Sequence, residues 1–164
     1  MNKYIILFFV ALFCIACKDT QNDHTHDHTS EKSHKKSAAA IKQELSSKGF
    51  KFFEYVDEKT KDTVLMQEYF MAFLKKGKNR TQSQQVADSL QRLHLKHLGK
   101  MYELGYADIS GPFGDLGDIV GVTIYNVPTI EMADSLANSD PMVKAGRLEI
   151  EVHPWWAGKG YPLR

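Results

Sequence analysis

Four features in the C-terminal half of the sequence could do chemistry together: His94, Gly105, Gly111-Pro112 and Asp140-Pro141. His94 and Asp140 form a candidate acid/base pair. A carboxylate beside an imidazole fixes its tautomer and stabilises its protonated form, leaving the other ring nitrogen to move a proton near neutral pH. Asp-Pro is also a common turn starter, so Asp140 could simply cap the turn before Pro141.

Several elements must bring these residues together. Phe50 to Val56 and Thr63 to Leu74 are rich in aromatic and β-branched residues and flank the polar turn Asp57 to Asp62, which predicts two strands in a hairpin. Val86, Leu90, Leu93, His97, Met101 and Leu104 recur at helical spacing, with Thr81 or Ser83 to cap the start and Gly105 to end the helix. On a wheel of about 100° per residue, His97 falls in the middle of that stripe and His94 about 60° to 80° away, at its edge. His97 is therefore expected as a core or interface histidine bonded to a backbone carbonyl, bordering a pocket with Gly111 and Pro112. His94, at the margin, could face a cleft.

Further along, Tyr106 to Ser110 reads as a short strand, Gly111 to Asp118 as a glycine-rich loop and Ile119 to Val127 as an apolar strand. Thr129 caps a helix that Pro141 stops at or before Asp140, and Arg147 to Val152 alternates as a half-exposed strand. The predicted order is β-α-β-β-α-β, a ferredoxin-like α+β arrangement, with an extra N-terminal strand.

Gly105 lies 11 residues after His94, Gly111-Pro112 at 17 and 18, and Asp140-Pro141 follows. This register resembles the YCII-related family over about residues 63 to 156. The resemblance implies a dimeric α+β barrel in which two sheets pack face to face, with His94 and Asp140 in one pocket of each subunit. It implies either an enzyme acting on a small organic molecule, as in the lactone isomerases and a dechlorinating enzyme among related barrels, or a non-catalytic ligand-binding or structural module. His153-Pro154-Trp155-Trp156 is expected to end the last strand, with one tryptophan packing on a partner surface or in the core. The sequence departs from the usual small family members in its leader, polar segment and N-terminal extension.

The rest of the sequence narrows the function. One Lys and a 13-residue apolar run from Tyr4 to Ala16 have the shape of a signal peptide, too short to span a bilayer comfortably. Cys14-Ile15-Ala16-Cys17 resembles a bacterial lipobox, with Cys14 where Leu is usual. This implies a leader at residues 1–16, lipidation at Cys17 and a place in the cell envelope; Lys18-Asp19 looks like the start of a surface-export signal and points to the outer membrane. The mature chain would retain no thiol to form a disulfide. Residues 17–48 are polar and read as a flexible tether before a domain at 49–164.

His24, His26, His28 and His34 in that tether could bind a transition metal adaptively, but without Cys or a supporting shell a dedicated metal site is not expected. The 21 Lys+Arg and 20 Asp+Glu fall to 20 and 20 once Lys3 leaves with the leader, so no basic excess points to nucleic acid. Asp115 and Asp118 lack the further ligands of a calcium loop, and no phosphate-loop or other cofactor motif is present.

Overall fold

The computed structural model describes residues 36–161 and Leu163. The leader, Cys17 and the histidines at 24, 26, 28 and 34 lie outside the described residues.

The first element is a helix, α1 (Ala38–Ser47), inside the segment expected to be tether up to residue 48. Ser37 caps it by accepting from the Ala40 amide, and Gly49 follows its end at φ +76. Three alanines favour the helix intrinsically, while Ile41 and the buried Leu45 stand four residues apart on one face. Two apolar anchors were too few to register as periodicity in a polar stretch.

A hairpin follows. Strand β1 (Phe52–Val56) pairs antiparallel with β2 (Thr63–Lys76), from Phe52 opposite Gln67 to Val56 opposite Thr63. Asp57 Oδ1 closes the turn by accepting from the amides of Lys59 and Thr60, at 2.9 and 2.8 Å. The long helix α2 (Gln84–Glu103) is capped by Ser83 and followed by Gly105 at φ +70. After it come β3 (Ala107–Pro112), β4 (Ile119–Tyr125), α3 (Ile130–Asn138), the single turn α4 (Pro141–Lys144) and β5 (Leu148–Gly158).

From β2 onward the order is β-α-β-β-α-β, with strands arranged β5-β2-β4-β3 and every pairing antiparallel. This is the ferredoxin-like α+β fold, with β1 added to β2 beyond the end of β4. Phe70, Ala72 and Leu74 of β2 point to the helix side, the first two into a core with Met101, Tyr125, Ala133 and Ala137. Tyr69, Met71 and Phe73 alternate onto the other face.

Two strands run further than their sequences suggest. Gly111 and Pro112 belong to β3, opposite Val122 and Gly121, so the glycine-rich loop begins only after them. Strand β5 continues through His153, Pro154 and both tryptophans to Gly158. It is an edge strand paired only with β2, where a proline's missing N–H costs no ladder bond on the open side. The adjacent tryptophans take opposite faces: Trp155 packs on Tyr69, with ring centroids 6.2 Å apart, and Trp156 on Phe53 at 5.0 Å.

Candidate active site

Helix α2 turns a different face inward from the one its most obvious apolar residues suggest. Ala87, His94 and Met101 are buried, while Val86, Leu93 and Leu104 are each about half exposed, at 47%, 46% and 51%. Leu95 and Tyr102 are exposed on the opposite flank. The apolar arc is thus about 200° wide on a 100° wheel, and His94 sits at its middle rather than its edge. The six residues that defined the predicted stripe sample only one side of that arc.

Asp140 reaches His94 from the junction of α3 and α4. Helix α3 starts at Thr129, whose side chain accepts from the Met132 amide, and ends at Ser139. Asp140 then caps α4, with Pro141 at the first helical position, where a missing N–H is harmless. Its two carboxylate oxygens have separate duties. Oδ1 accepts from the Met142 amide at 2.8 Å, and Oδ2 accepts from His94 Nδ1 at 2.6 Å. Turn-capping and imidazole-binding are therefore both fulfilled by one side chain.

The pair is buried, His94 at 8% and Asp140 at 3% exposure. Burial pushes the Asp140 carboxyl up, but the hydrogen bonds from His94 and the Met142 amide, together with the charge of the imidazoles of His94 and His97, outweigh it and hold the acid below its ordinary value. An ionised carboxylate can only accept, so Nδ1 carries a proton, and in the neutral form of the imidazole the lone pair is then on Nε2. Nearby, burial foremost and the Asp140 charge second push the Tyr125 phenol up, which keeps it protonated.

His94 borders a cavity of about 480 Å³ between α2 and strands β3 and β4. Gly111, Pro112, Thr123, Met142 and Arg147 are among its other walls. Its volume lies within the ordinary range for small-molecule sites. His94 Nε2 makes no hydrogen bond within the described residues and is not among their sealed-off polar atoms, so it remains open to the cavity. Asp140 stands behind the imidazole and does not line the space.

His97 does not line the cavity either. It is partly buried one turn further along α2, and its Nε2 is sealed from solvent with no hydrogen-bond partner among the described residues. Burial is the main influence and lowers its pKa, against the opposing pull of Asp140 and the Leu136 carbonyl. Arg80, Arg147 and the bonded Ser110–Thr123 pair are polar wall residues that the sequence reading did not single out. Their only sequence signal is the proximity of the arginines to Gly77 and Gly146, which means nothing until the chain is folded.

No protein-family model matches the chain, and no curated protein matches it. Among solved structures it is similar to the 5-chloro-2-hydroxyhydroquinone dehydrochlorinase from Burkholderia phenoliruptrix AC1100 in complex with 2,5-dihydroxybenzoquinone. The identity is 24%, over 53% of this chain and 92% of that one, with a TM-score of 0.41. A likeness at that level says nothing of this chain's chemistry, which has to be argued from its own geometry.

Proposed function

We propose that this is a YCII-related envelope protein whose ferredoxin-like domain moves a proton on a small organic molecule. His94 is the acid/base group and Asp140 its positioning residue. The observation that carries this reading is the buried 2.6 Å contact from His94 Nδ1 to Asp140, with the imidazole at a cavity wall. In this reading Nε2 takes a proton from the substrate, the carboxylate stabilises the imidazolium, and the proton returns to a different atom of the same molecule. Such an isomerisation balances within one substrate.

The test is proton-for-deuterium exchange, followed by NMR, on a panel of small enolisable carbonyl compounds incubated in D2O. At least one compound should exchange faster than in buffer, and His94→Gln should slow it by roughly 10²- to 10⁴-fold, the usual contribution of a positioned acid/base group. Exchange at the buffer rate throughout, or exchange indifferent to His94, would return the cavity to a binding role.

The envelope part of the proposal rests on the sequence: leader at 1–16, lipid on Cys17, outer-membrane location. Incorporation of a labelled fatty acid that survives Cys17→Ser would end it. The homodimer rests on the family resemblance and on the sheet face bearing the half-buried Met71 and Phe73 and the exposed Trp155, away from the core that packs on α2 and α3. A monomer in sedimentation equilibrium at micromolar concentration would remove it.

A further inference from the structure

The cavity's second distinctive feature is a pair of arginines on the wall formed where the β2–α2 connection meets the end of α4. Gly77 donates to the Arg147 carbonyl and Asn79 to the Gly146 carbonyl, both at 3.0 Å, and Asn79 Nδ2 donates to the Ala145 carbonyl at 3.1 Å. Gly77 is obligatory there, since a Cβ would stand 2.3 Å from the Gly146 oxygen. This lacing sets Arg80 and Arg147 on one wall of the cavity that His94 also lines.

Each guanidinium is held by one internal hydrogen bond. Arg80 Nη1 donates to the Arg147 carbonyl at 3.1 Å, and Arg147 Nη1 donates to Gln82 Oε1 at 3.1 Å. Each fork keeps its remaining N–H donors. Among the described residues, neither arginine forms an ion pair with a carboxylate, although Arg147 is partly buried. Asp88 is the one acidic side chain among the lining residues, and its carboxylate accepts from Gln84 Nε2 at 2.7 Å. A partly desolvated guanidinium without an anion is costly, and its planar fork matches a carboxylate.

We infer that the molecule bound beside His94 is a small organic acid whose carboxylate is held by Arg80 and Arg147. The inference rests on the proton-transfer reading for what happens to that acid, but not for its binding. The carboxylate anchors one end against the arginine wall, and the remainder lies along Leu74, Val120 and Met142 toward the imidazole. Positioned in this way, a substrate would present a fixed C–H or O–H to Nε2, the entropic advantage of a two-point hold.

The full chain would be titrated with benzoate and with its uncharged counterpart benzamide at pH 8, above the ordinary histidine range. Benzoate should bind at least tenfold more tightly than benzamide. Arg147→Gln and Arg80→Gln should each remove most of that preference, with benzamide affinity changing far less, and an unaltered thermal melt of each variant checks that the domain is still folded. Equal affinities, absence of benzoate binding, or a preference that survives both arginine variants would overturn the inference. His94→Gln separates the two readings: benzoate affinity should persist even as deuterium exchange is lost. Loss of benzoate in His94→Gln with retention in the arginine variants would place the anion on the imidazole and refute the arginine assignment.

Discussion

Two hollows of similar size differ in what they are made of. The one beside the β1–β2 hairpin measures about 540 Å³ and is walled by Tyr55, Trp155, Trp156 and Tyr161, with Asp57 and Asp62. The one beside His94 is smaller, about 480 Å³. In the hairpin hollow no buried polar side chain lines the wall, and Asp57 spends its Oδ1 on its own turn. In the His94 cavity an imidazole is clamped by a carboxylate that is itself fixed by the Met142 amide. Volume alone makes an open groove; a candidate site for chemistry needs polar groups whose orientation is settled before anything binds.

The largest effect separating the two regions should come from Asp140→Ala. It removes a helix cap, worth about 1 kcal/mol, and a charge-assisted hydrogen bond to a buried imidazole, worth about 1.5–3 kcal/mol. A loss of about 2–4 kcal/mol in urea unfolding is expected, against a change within about 0.5 kcal/mol for the exposed Asp62→Ala in the hairpin hollow. Equal effects of the two substitutions would erase the distinction.

Gly77→Ala should come next. Its methyl would collide with the Gly146 carbonyl, and relief by backbone movement should cost about 1–3 kcal/mol. The same movement displaces the arginine wall, so benzoate affinity should fall in step with stability. Full stability in a thermal melt would mean that the two segments are less tightly laced than their hydrogen bonds indicate.

On the hairpin side, energy should reside in ring packing rather than in polar contacts. A double-mutant cycle on Phe53→Ala and Trp156→Ala should give a coupling of about 0.5–1.5 kcal/mol. Zero coupling would leave that region with neither polar nor aromatic organisation.

The smallest expected signal belongs to His97. Its folded-state pKa is lowered, chiefly by burial, so the unfolded chain takes up the proton first as pH falls below about 6.5. Its contribution is therefore present above that pH and lost on acidification through the folded value. His97→Leu should flatten the decline in stability between about pH 7 and pH 5. The Asp140 contribution, also from a lowered pKa, should remain in that variant and be lost only at more acid pH, below the ordinary carboxylate range. An unchanged slope near pH 6 would assign the decline to another group.

The sequence by itself determined the local grammar of the domain. The hairpin around Asp57, the cap at Thr129, a cap for α2 at one of Thr81 and Ser83 (the fold uses Ser83), the left-handed stop at Gly105 and the order β-α-β-β-α-β all follow from short-range preferences, and each is present in the fold. The spacing of His94 and Asp140 drew attention to two residues that the fold then sets in contact. Which way α2 faces was not legible, because its apolar arc is wide and only packing against β3 and α4 chooses the middle. The reach of β5 through Pro154 was hidden for a related reason, since proline is tolerated at an edge and edge position is a property of the assembled sheet. Helix α1 rested on two apolar residues that count only once a surface receives them. The arginine wall was beyond any reading along the chain: Arg80 and Arg147 are 67 residues apart, and tertiary structure alone joins them, through hydrogen bonds from the main chain and the Arg80 side chain to backbone carbonyls.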